Sequence, residues 1–221
     1  MMGSMSANTI TTCGTDGTIK FWNTPDVSQL ADLSTATSQM TSGPVTAAAP
    51  YLAQDLQLML WADDRSIVRI IKGPIPAESL DALNLSNTNL LDAEEQQPSA
   101  KTGIRTFAFS PDGDVMALGF RCGDVQIVQT SDWSVIASHE AHDDEIITMD
   151  VSRQNLVASA GRDRMVHIFD GRQGFERIAS LSSHSSTISA LKFSANGEVL
   201  ITCGWDHVVT FYHIRVRLTA D

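Results

Sequence analysis

What this sequence lacks excludes several classes of protein. It contains no uninterrupted run of about 18 apolar residues, so no membrane-spanning helix and no membrane partner are expected. Its 26 acidic residues outnumber 15 basic ones and give a net charge of −11. Because proteins that bind duplexes present a basic face to the phosphates, nucleic acid is not predicted as the main partner.

Cysteine is scarce and scattered. The three cysteines stand at positions 13, 122 and 203, and none belongs to a Cys-x-x-Cys pair or to a Cys/His cluster with zinc spacing. An odd number of distant cysteines favours a reducing compartment, so a cytoplasmic location is expected. No pair among the six histidines has helical metal-ligand spacing. No metal and no cofactor are therefore predicted.

Motifs for catalysis are also missing. There is no Gly-x-Ser-x-Gly elbow, and the segment GTDGT at 14–18 lacks the lysine of a phosphate-binding loop. His142, Ser159 and Asp163 include the residue types of a hydrolase triad. A parallel set recurs later in the chain, and nucleophiles are not normally duplicated along a repeat. The sequence therefore predicts no enzyme, with a hydrolase kept as a less favoured alternative.

A repeat of 42 residues dominates what the sequence does contain. Ser110, Ser152 and Ser194 close the segments IRTFAFS, IITMDVS and ISALKFS, and each step between these serines is 42 residues. A fixed period in the 40s, with short apolar strands in each unit, is typical of a β-propeller. The sequence therefore predicts an all-β fold built from four-stranded blades.

Short runs rich in β-branched and aromatic residues, bounded by turn residues, give the expected strands. Three full units share this pattern, with strands at 103–109, 115–120, 124–129, 134–140; 145–151, 156–161, 164–169, 175–181; and 187–193, 199–204, 208–213, 214–220. Two weaker units come first, with strands at 8–14, 18–23, 29–35; and 44–50, 56–62, 66–72. Pro50 limits the first strand of the second of these.

One propeller segment over 1–221 is predicted, with about four and a half blades. The blades cover about 8–35 (partial), 44–91, 103–140, 144–181 and 187–220, and 73–101 forms an acidic loop insertion. The first unit lacks an obvious innermost strand, and nothing visible closes the ring. We therefore expect an incomplete arc of a larger propeller, whose open edges favour self-association or cover by a partner chain.

Polar residues recur at fixed places in the repeat. The members align as an aspartate, a hydroxyl four residues before it, an aromatic six residues after it and, in two units, a histidine before the first strand. They are Thr12, Asp16, Trp22; His142, Ser159, Asp163, Phe169; and His184, Thr202, Asp206, Tyr212. This set resembles the WD-repeat family, whose blades carry a His–Ser/Thr–Asp–Trp hydrogen-bond chain and whose propellers are of the seven-blade type.

The chemistry of these residues suits such a chain. Histidine can donate to an aspartate while accepting from a hydroxyl, and a tight turn needs an acceptor for its amides. The match is uneven, because Phe169 cannot hydrogen-bond and Tyr212 must replace an indole. The unit at 103–140 has Ala100, Leu118 and Cys122 at the corresponding positions, so it is expected to rely on apolar packing.

A closer resemblance exists within the WD-repeat family. The segments 103–113, 140–152, 160–170 and 184–193 are similar to the second propeller of the mitogen-activated-protein-kinase-binding scaffolds and of their microcephaly-associated spindle-pole relatives. The resemblance implies a non-catalytic protein-interaction scaffold in kinase signalling or in spindle and cytoskeletal assembly. The alternative is a structural subunit of a large cytoskeletal or ciliary complex.

The turns between second and third strands supply candidate binding residues. They concentrate arginine and tryptophan, the residues most enriched at binding hot spots, and arginine pairs bidentately with carboxylates and phosphates. The candidates are Arg65, Arg121, Arg162, Arg164, Trp205 and His207, with Asp143 and Ser185 from the preceding loops. An acidic or phosphorylated peptide segment of another protein is the expected partner. Two alternatives stay open. In the first, the arginines only satisfy the neighbouring Asp143, Asp144 and Asp163 or are solvated. In the second, the carboxylates bind a basic peptide such as a histone tail; they are Asp63, Asp64, Asp143 and Asp144.

Overall fold

The computed structural model describes residues 103–132 and 134–215 in full and, before residue 103, the strands alone. The chain divides into two compact units, Met1–Arg105 and Thr106–Asp221. Within the described residues there is no α-helix, only a 3-10 turn at Gly171–Gln173. None of them forms a helix long and apolar enough to cross a membrane. Asp16, Arg65, the acidic segment 73–101 and 216–220 of the last predicted strand lie outside the described residues.

Two three-stranded antiparallel sheets make up the described part of the first unit. One contains β1 (Thr9–Cys13), β2 (Ile19–Asn23) and β3 (Gln29–Asp32) in the order β1-β2-β3. The other contains β4 (Val45–Ala53), β5 (Leu56–Asp63) and β6 (Val68–Lys72) in the order β4-β5-β6. All six strands lie where the sequence pattern predicts them.

Proline does not shorten the fourth strand as expected. β4 runs through Pro50 to Ala53, and Pro50 is the register partner of Met59 in β5. The expectation overlooked the position of β4, which is an edge strand of its described sheet. At an edge, one face of the backbone needs no ladder hydrogen bond, so the missing N–H of proline is tolerated.

The second unit is built from three antiparallel sheets. The strands are β7 (Ile104–Phe109), β8 (Val115–Phe120), β9 (Asp124–Gln129), β10 (Val135–Glu140); β11 (Ile146–Val151), β12 (Leu156–Gly161), β13 (Val166–Asp170), β14 (Glu176–Leu181); and β15 (Ile188–Phe193), β16 (Val199–Gly204), β17 (Val209–His213). The first two sheets have four strands in sequential order, and the third has three in the described residues. The prediction of an all-β fold of propeller-type sheets is confirmed.

The 42-residue serine period has a local cause. Each serine ends the first strand of its sheet and ties down the hairpin to the second strand. The backbone N–H groups of Val115, Leu156 and Val199 donate to the hydroxyls of Ser110, Ser152 and Ser194 at 3.0, 3.1 and 3.0 Å. A hydroxyl acceptor in a tight turn satisfies an amide that the ladder leaves unpaired.

Adjacent sheets of the second unit bury apolar faces against each other. Val115, Ala117, Val125 and Ile127 of the first sheet pack against β11–β13, including Phe169. A second apolar interface packs β12 and β13 against the third sheet. The third sheet contributes Ile188, Leu191, Phe193 and Leu200. These layers order the turns between second and third strands along one end of the sheets.

Candidate functional site

A buried hydrogen-bond chain joins three elements of the second sheet. His142 lies in the loop before β11, Ser159 in β12 and Asp163 in the β12–β13 turn. The His142 Nδ1 atom is 2.8 Å from Asp163 Oδ2, and its Nε2 atom is 2.8 Å from Ser159 Oγ. Asp163 also accepts the backbone N–H of Met165 at 3.1 Å. The chain therefore fixes the loop, the strand and the turn relative to one another.

The third sheet repeats this arrangement. His184 Nδ1 lies 3.0 Å from Asp206 Oδ2, and His184 Nε2 lies 2.8 Å from Thr202 Oγ1. Asp206 further accepts the backbone N–H groups of Ser185 at 2.9 Å and Val208 at 3.1 Å. The structure thus brings together the trio that the sequence places one repeat after the first.

Both turn aspartates are held as carboxylates. Burial alone would raise the pKa of Asp163, but the hydrogen bond from His142, its charge and the turn amides outweigh burial and lower the pKa below its usual value. Burial also works to raise the pKa of Asp206, and the amides of Ser185 and Val208 with His184 lower it overall. Each turn therefore presents a fixed negative charge toward its own amides.

The aromatic positions do not extend these chains. Phe169 is fully buried in the sheet interface. The structure corrects the expectation for Tyr212, whose hydroxyl is buried with no hydrogen-bond partner among the described residues. Tyr212 faces Leu200 across the ladder, and the hydroxyl of Thr202 is already engaged by His184. In the first unit, Thr12 and Trp22 lie on β1 and β2, where their register partners are Lys20 and Ile10.

Two arginines of neighbouring sheets share one carboxylate. Glu145, just before β11, accepts from Arg162 Nε at 2.9 Å and lies 3.7 Å from Arg121 Nε. The Glu145 side chain is only 15% exposed, whereas the arginine side chains are 43% (Arg121) and 52% (Arg162) exposed. Arg121 and Arg162 thus pair with Glu145 and not with the three aspartates that the sequence suggested. Sequence reasoning missed Glu145, although its place between two arginine turns was a usable signal.

We call the surface formed by turns 121–123, 162–164 and 205–207 with loops 141–145 and 183–187 the turn face. Arg164, Trp205 and His207 are exposed there, as are Asp143 and Ser185 in the loops. Trp205 is 66% exposed, and its backbone N–H donates to the Thr187 carbonyl at 2.9 Å. The backbone N–H of Arg162 likewise donates to the Glu145 carbonyl at 3.0 Å, so Trp205 and Arg162 occupy the same position in their repeats.

A further contact that the sequence did not suggest links β11 to β15. The buried Asp150 carboxylate binds the ammonium group of Lys192 and accepts the backbone N–H of Phe193 at 2.7 Å. Thr148 Oγ1 accepts the N–H of Leu191 at 3.3 Å nearby. These bonds join adjacent sheets along their first strands.

His142, Asp163 and His167 place three potential ligand atoms within 4.8 Å of one another. His-His-carboxylate sets suit zinc and other transition metals. Both His142 nitrogens are already hydrogen-bonded, and His167 Nδ1 lies 2.9 Å from Ser180 Oγ. A cation would have to displace the His142–Asp163 bond, so the cluster acts here as a packed hydrogen-bond network.

The hydrogen-bond chain of His142, Ser159 and Asp163 is connected like a hydrolase triad, but a substrate cannot reach it. His142 contacts a hydroxyl through Nε2 and a carboxylate through Nδ1, as a Ser-His-Asp set requires. Ser159, however, is 0% exposed within β12, so no substrate carbonyl can approach its Oγ atom. The geometry therefore supports a structural role for this trio.

Comparison with known proteins adds independent support for the repeat. A family model described as "WD domain, G-beta repeat" matches residues 4–23 and 175–213. The chain is 31% identical to mitogen-activated protein kinase-binding protein 1 of Homo sapiens over 206 residues, which cover 90% of this chain and 12% of that protein. It is 27% identical to WD repeat-containing protein 62 of Mus musculus over 213 residues, 94% of this chain and 12% of the relative.

A more distant relative is echinoderm microtubule-associated protein-like 2 of Mus musculus. It is 24% identical over 132 residues, which cover 56% of this chain and 20% of that protein. This chain therefore spans about an eighth of the length of the first two relatives, 12% in each case.

Proposed function

This chain belongs to the WD-repeat family, and we propose from that membership that it is a non-catalytic scaffold whose turn face binds other proteins. Propeller-type sheets are rigid supports for loops, and binding residues concentrate on loops that a rigid scaffold positions. The inaccessible Ser159 hydroxyl supports the non-catalytic part of the proposal. Family membership alone does not fix a partner, so the partner must be argued from the surface.

The shared carboxylate of Glu145 carries the proposal. It accepts from Arg162 Nε at 2.9 Å and forms a looser ion pair with Arg121 Nε at 3.7 Å. Among the described residues, the terminal guanidinium nitrogens of these two half-exposed side chains have no hydrogen-bond partner and can bind another protein. The turn face carries five acidic residues and three arginines, so its net charge is not positive, and the adjacent guanidinium groups alone favour an anionic partner. Guanidinium groups bind carboxylates and phosphates through paired hydrogen bonds, and a fixed guanidinium loses less side-chain entropy on binding. We therefore infer an acidic or phosphorylated segment as the partner.

Trp205 supplies a second kind of contact on the same face. Trp205 is 66% exposed at a turn tip, so most of its surface is available to a partner. Tryptophan is a frequent anchor of interface hot spots, because its large ring buries much area with little loss of side-chain entropy. The proposed partner thus offers an anionic side chain near Arg162 and an apolar one near Trp205.

Replacing Arg162 by glutamate and Trp205 by alanine together is expected to weaken binding at least about tenfold. The change reverses one charge and removes the apolar anchor while leaving the His142 and His184 chains intact. The measurement is fluorescence anisotropy with a fluorescein-labelled peptide that carries phosphoserine within a run of glutamates. An unphosphorylated glutamate peptide and a lysine-substituted peptide complete the set.

Arg153→Glu is the matched control, because Arg153 is exposed on the β11–β12 hairpin at the opposite end of β12 from the turn face. It should bind the anionic peptides about as well as the unmodified protein. Preference for the lysine peptide would overturn the anionic partner in favour of a basic one. Equal binding by the double variant and the unmodified protein would reject the turn face as the site.

The cellular setting is proposed from the relatives. Two of their names refer to binding a mitogen-activated protein kinase and to association with microtubules. We infer a role in kinase signalling or in spindle and cytoskeletal assembly, in the cytoplasm and on the cytoskeleton. Holding two partners on one rigid surface raises their effective concentration, which is how a scaffold acts without chemistry.

A sheet face that is largely exposed among the described residues supports a second candidate, a structural subunit that is permanently associated. Val125 with Ile127, and Val166 with Ile168, are buried because the sheet of the next repeat covers them. The matching residues of β17, Val209 and Phe211, are 56% and 66% exposed. Because the matching residues of the other two sheets are covered by a neighbouring sheet of this chain, we propose a second copy of the chain as the occupant.

Replacing Val209 and Phe211 by aspartate is expected to abolish self-association, because two charges cannot be buried in an apolar contact. Sedimentation velocity over a range of concentrations should show the unmodified protein well above its 23.9 kDa monomer mass and the variant near it. Ile178→Asp on the outer strand β14 is the control, since Ile178 is exposed outside this face. A compact monomer of the unmodified chain at every concentration would contradict self-association.

A further inference from the structure

The turns of the turn face share one backbone feature. In each, the residue after the turn-aspartate position donates its N–H three residues back, at 3.2 Å for Gly123, 3.3 Å for Arg164 and 3.2 Å for His207. All three residues have positive φ, at +96°, +69° and +62°. A type I turn followed by a left-handed residue is a common connection between antiparallel strands, and it favours glycine at the left-handed position.

Arginine and histidine are therefore costly choices at two of these three positions. A β-carbon disfavours the left-handed region, so glycine would make both turns more stable. The side chains of Arg164 and His207 are exposed, and neither has a hydrogen-bond or ion-pair partner among the described residues. Nothing within the described fold repays their backbone cost, and strain of this kind concentrates at functional sites.

We propose that Arg164 and His207 contact the partner directly and are kept in the left-handed conformation for that purpose. Arg164 follows Asp163 in the turn that carries Arg162, so it adds a cation beside the Glu145-bound pair. His207 stands two residues after Trp205 and adds a nitrogen donor beside the indole. The inference rests on the proposed function and specifies its ligand: a segment with at least two anionic groups, one toward each turn.

Glycine substitution separates the two effects, because it removes the side chain and relieves the backbone at once. Arg164→Gly and His207→Gly should each raise the melting temperature by about 2–4 °C. Against the phosphoserine–glutamate peptide, Arg164→Gly should weaken binding about tenfold and His207→Gly about threefold. Arg164→Lys keeps the charge and the strain, so its melting temperature should be unchanged and its affinity should fall only about twofold.

Asn155→Gly is the matched control. Asn155 also has a positive φ, of +60°, but lies in the β11–β12 hairpin at the opposite end of the sheet. It should raise the melting temperature in the same direction and leave peptide binding unchanged. This variant tests whether relief of strain alone affects binding.

Each outcome supports or rejects a separate statement. Higher melting temperatures with undiminished binding for both glycine variants would reject Arg164 and His207 as contacts while the proposed function stands. A lower melting temperature for Arg164→Gly would show that the side chain supports the fold and overturn the strain argument. Absence of peptide binding by the unmodified protein would reject the proposed function itself, whatever the melting temperatures.

Discussion

Replacement of His142 by alanine is expected to lower the free energy of unfolding of the second unit by about 3–5 kcal/mol. The imidazole is buried, with Nδ1 2.8 Å from Asp163 Oδ2 and Nε2 2.8 Å from Ser159 Oγ. Its loss leaves a fully buried hydroxyl and a largely buried carboxylate without a shared partner, and it opens a cavity beside His167. Unsatisfied buried groups and cavities are the mechanisms behind the largest single-residue effects.

Urea unfolding followed by circular dichroism measures this change. His213→Ala is the control, because His213 is exposed at the end of β17 and its loss should cost less than about 0.5 kcal/mol. His184→Ala should also destabilise, since it breaks the equivalent chain. A His142→Ala protein within about 1 kcal/mol of the unmodified one would show that the chain is not a principal support of the sheet.

Acidification from pH 6.5 to pH 4 is expected to lower the free energy of unfolding by about 3 kcal/mol through His167 alone. Burial, with the nearby His142 and Arg177, lowers the pKa of His167 from 6.5 to about 4. Between these values the unfolded chain binds a proton that the folded protein excludes. Stability from this residue is therefore complete above pH 6.5 and falls by about 1.4 kcal/mol per pH unit toward pH 4.

His167→Gln tests this pH dependence. Gln126 stands at the matching position of β9, so a glutamine there fits a sheet of this type and does not titrate. The free energy of unfolding, measured at pH 7, 6, 5 and 4.5, should fall less steeply for the variant. The difference in slope should correspond to the one proton that the unfolded chain binds at His167. Parallel curves for the two proteins would mean that the folded state protonates His167 as readily as the unfolded one does.

Features set by local spacing could be read from the sequence. The strands, the serine-tied hairpins and the His142 chain follow from residues inside one repeat, where the order of strands fixes which positions meet. The expectation that Tyr212 extends the hydrogen-bond chain failed because its position was taken from alignment. The strand ladder sets Tyr212 beside Leu200, and the Thr202 hydroxyl is already hydrogen-bonded to His184.

Features that depend on contacts between repeats could not be read in this way. Glu145 was overlooked because one of its two arginines belongs to the preceding sheet. The left-handed backbone at Arg164 was hidden because the sequence there shows no glycine. The sequence shows that Pro50 cannot donate a ladder hydrogen bond, but only the sheet shows that β4 is an edge strand, where this loss is tolerated.

The bond between Asp150 and Lys192 makes the contact between the second and third sheets asymmetric, with the acid on one sheet and the base on the other. These two residues occupy the same place in consecutive repeats, 42 positions apart, and Ala108 occupies it in the repeat before. A tandem copy of the repeat that contains Asp150 would set a second carboxylate opposite this buried one, whereas the Lys192 side chain is 76% exposed. The repeats are therefore not equivalent modules, and a duplicated Asp150 repeat would dock less favourably unless one of the two carboxylates were replaced.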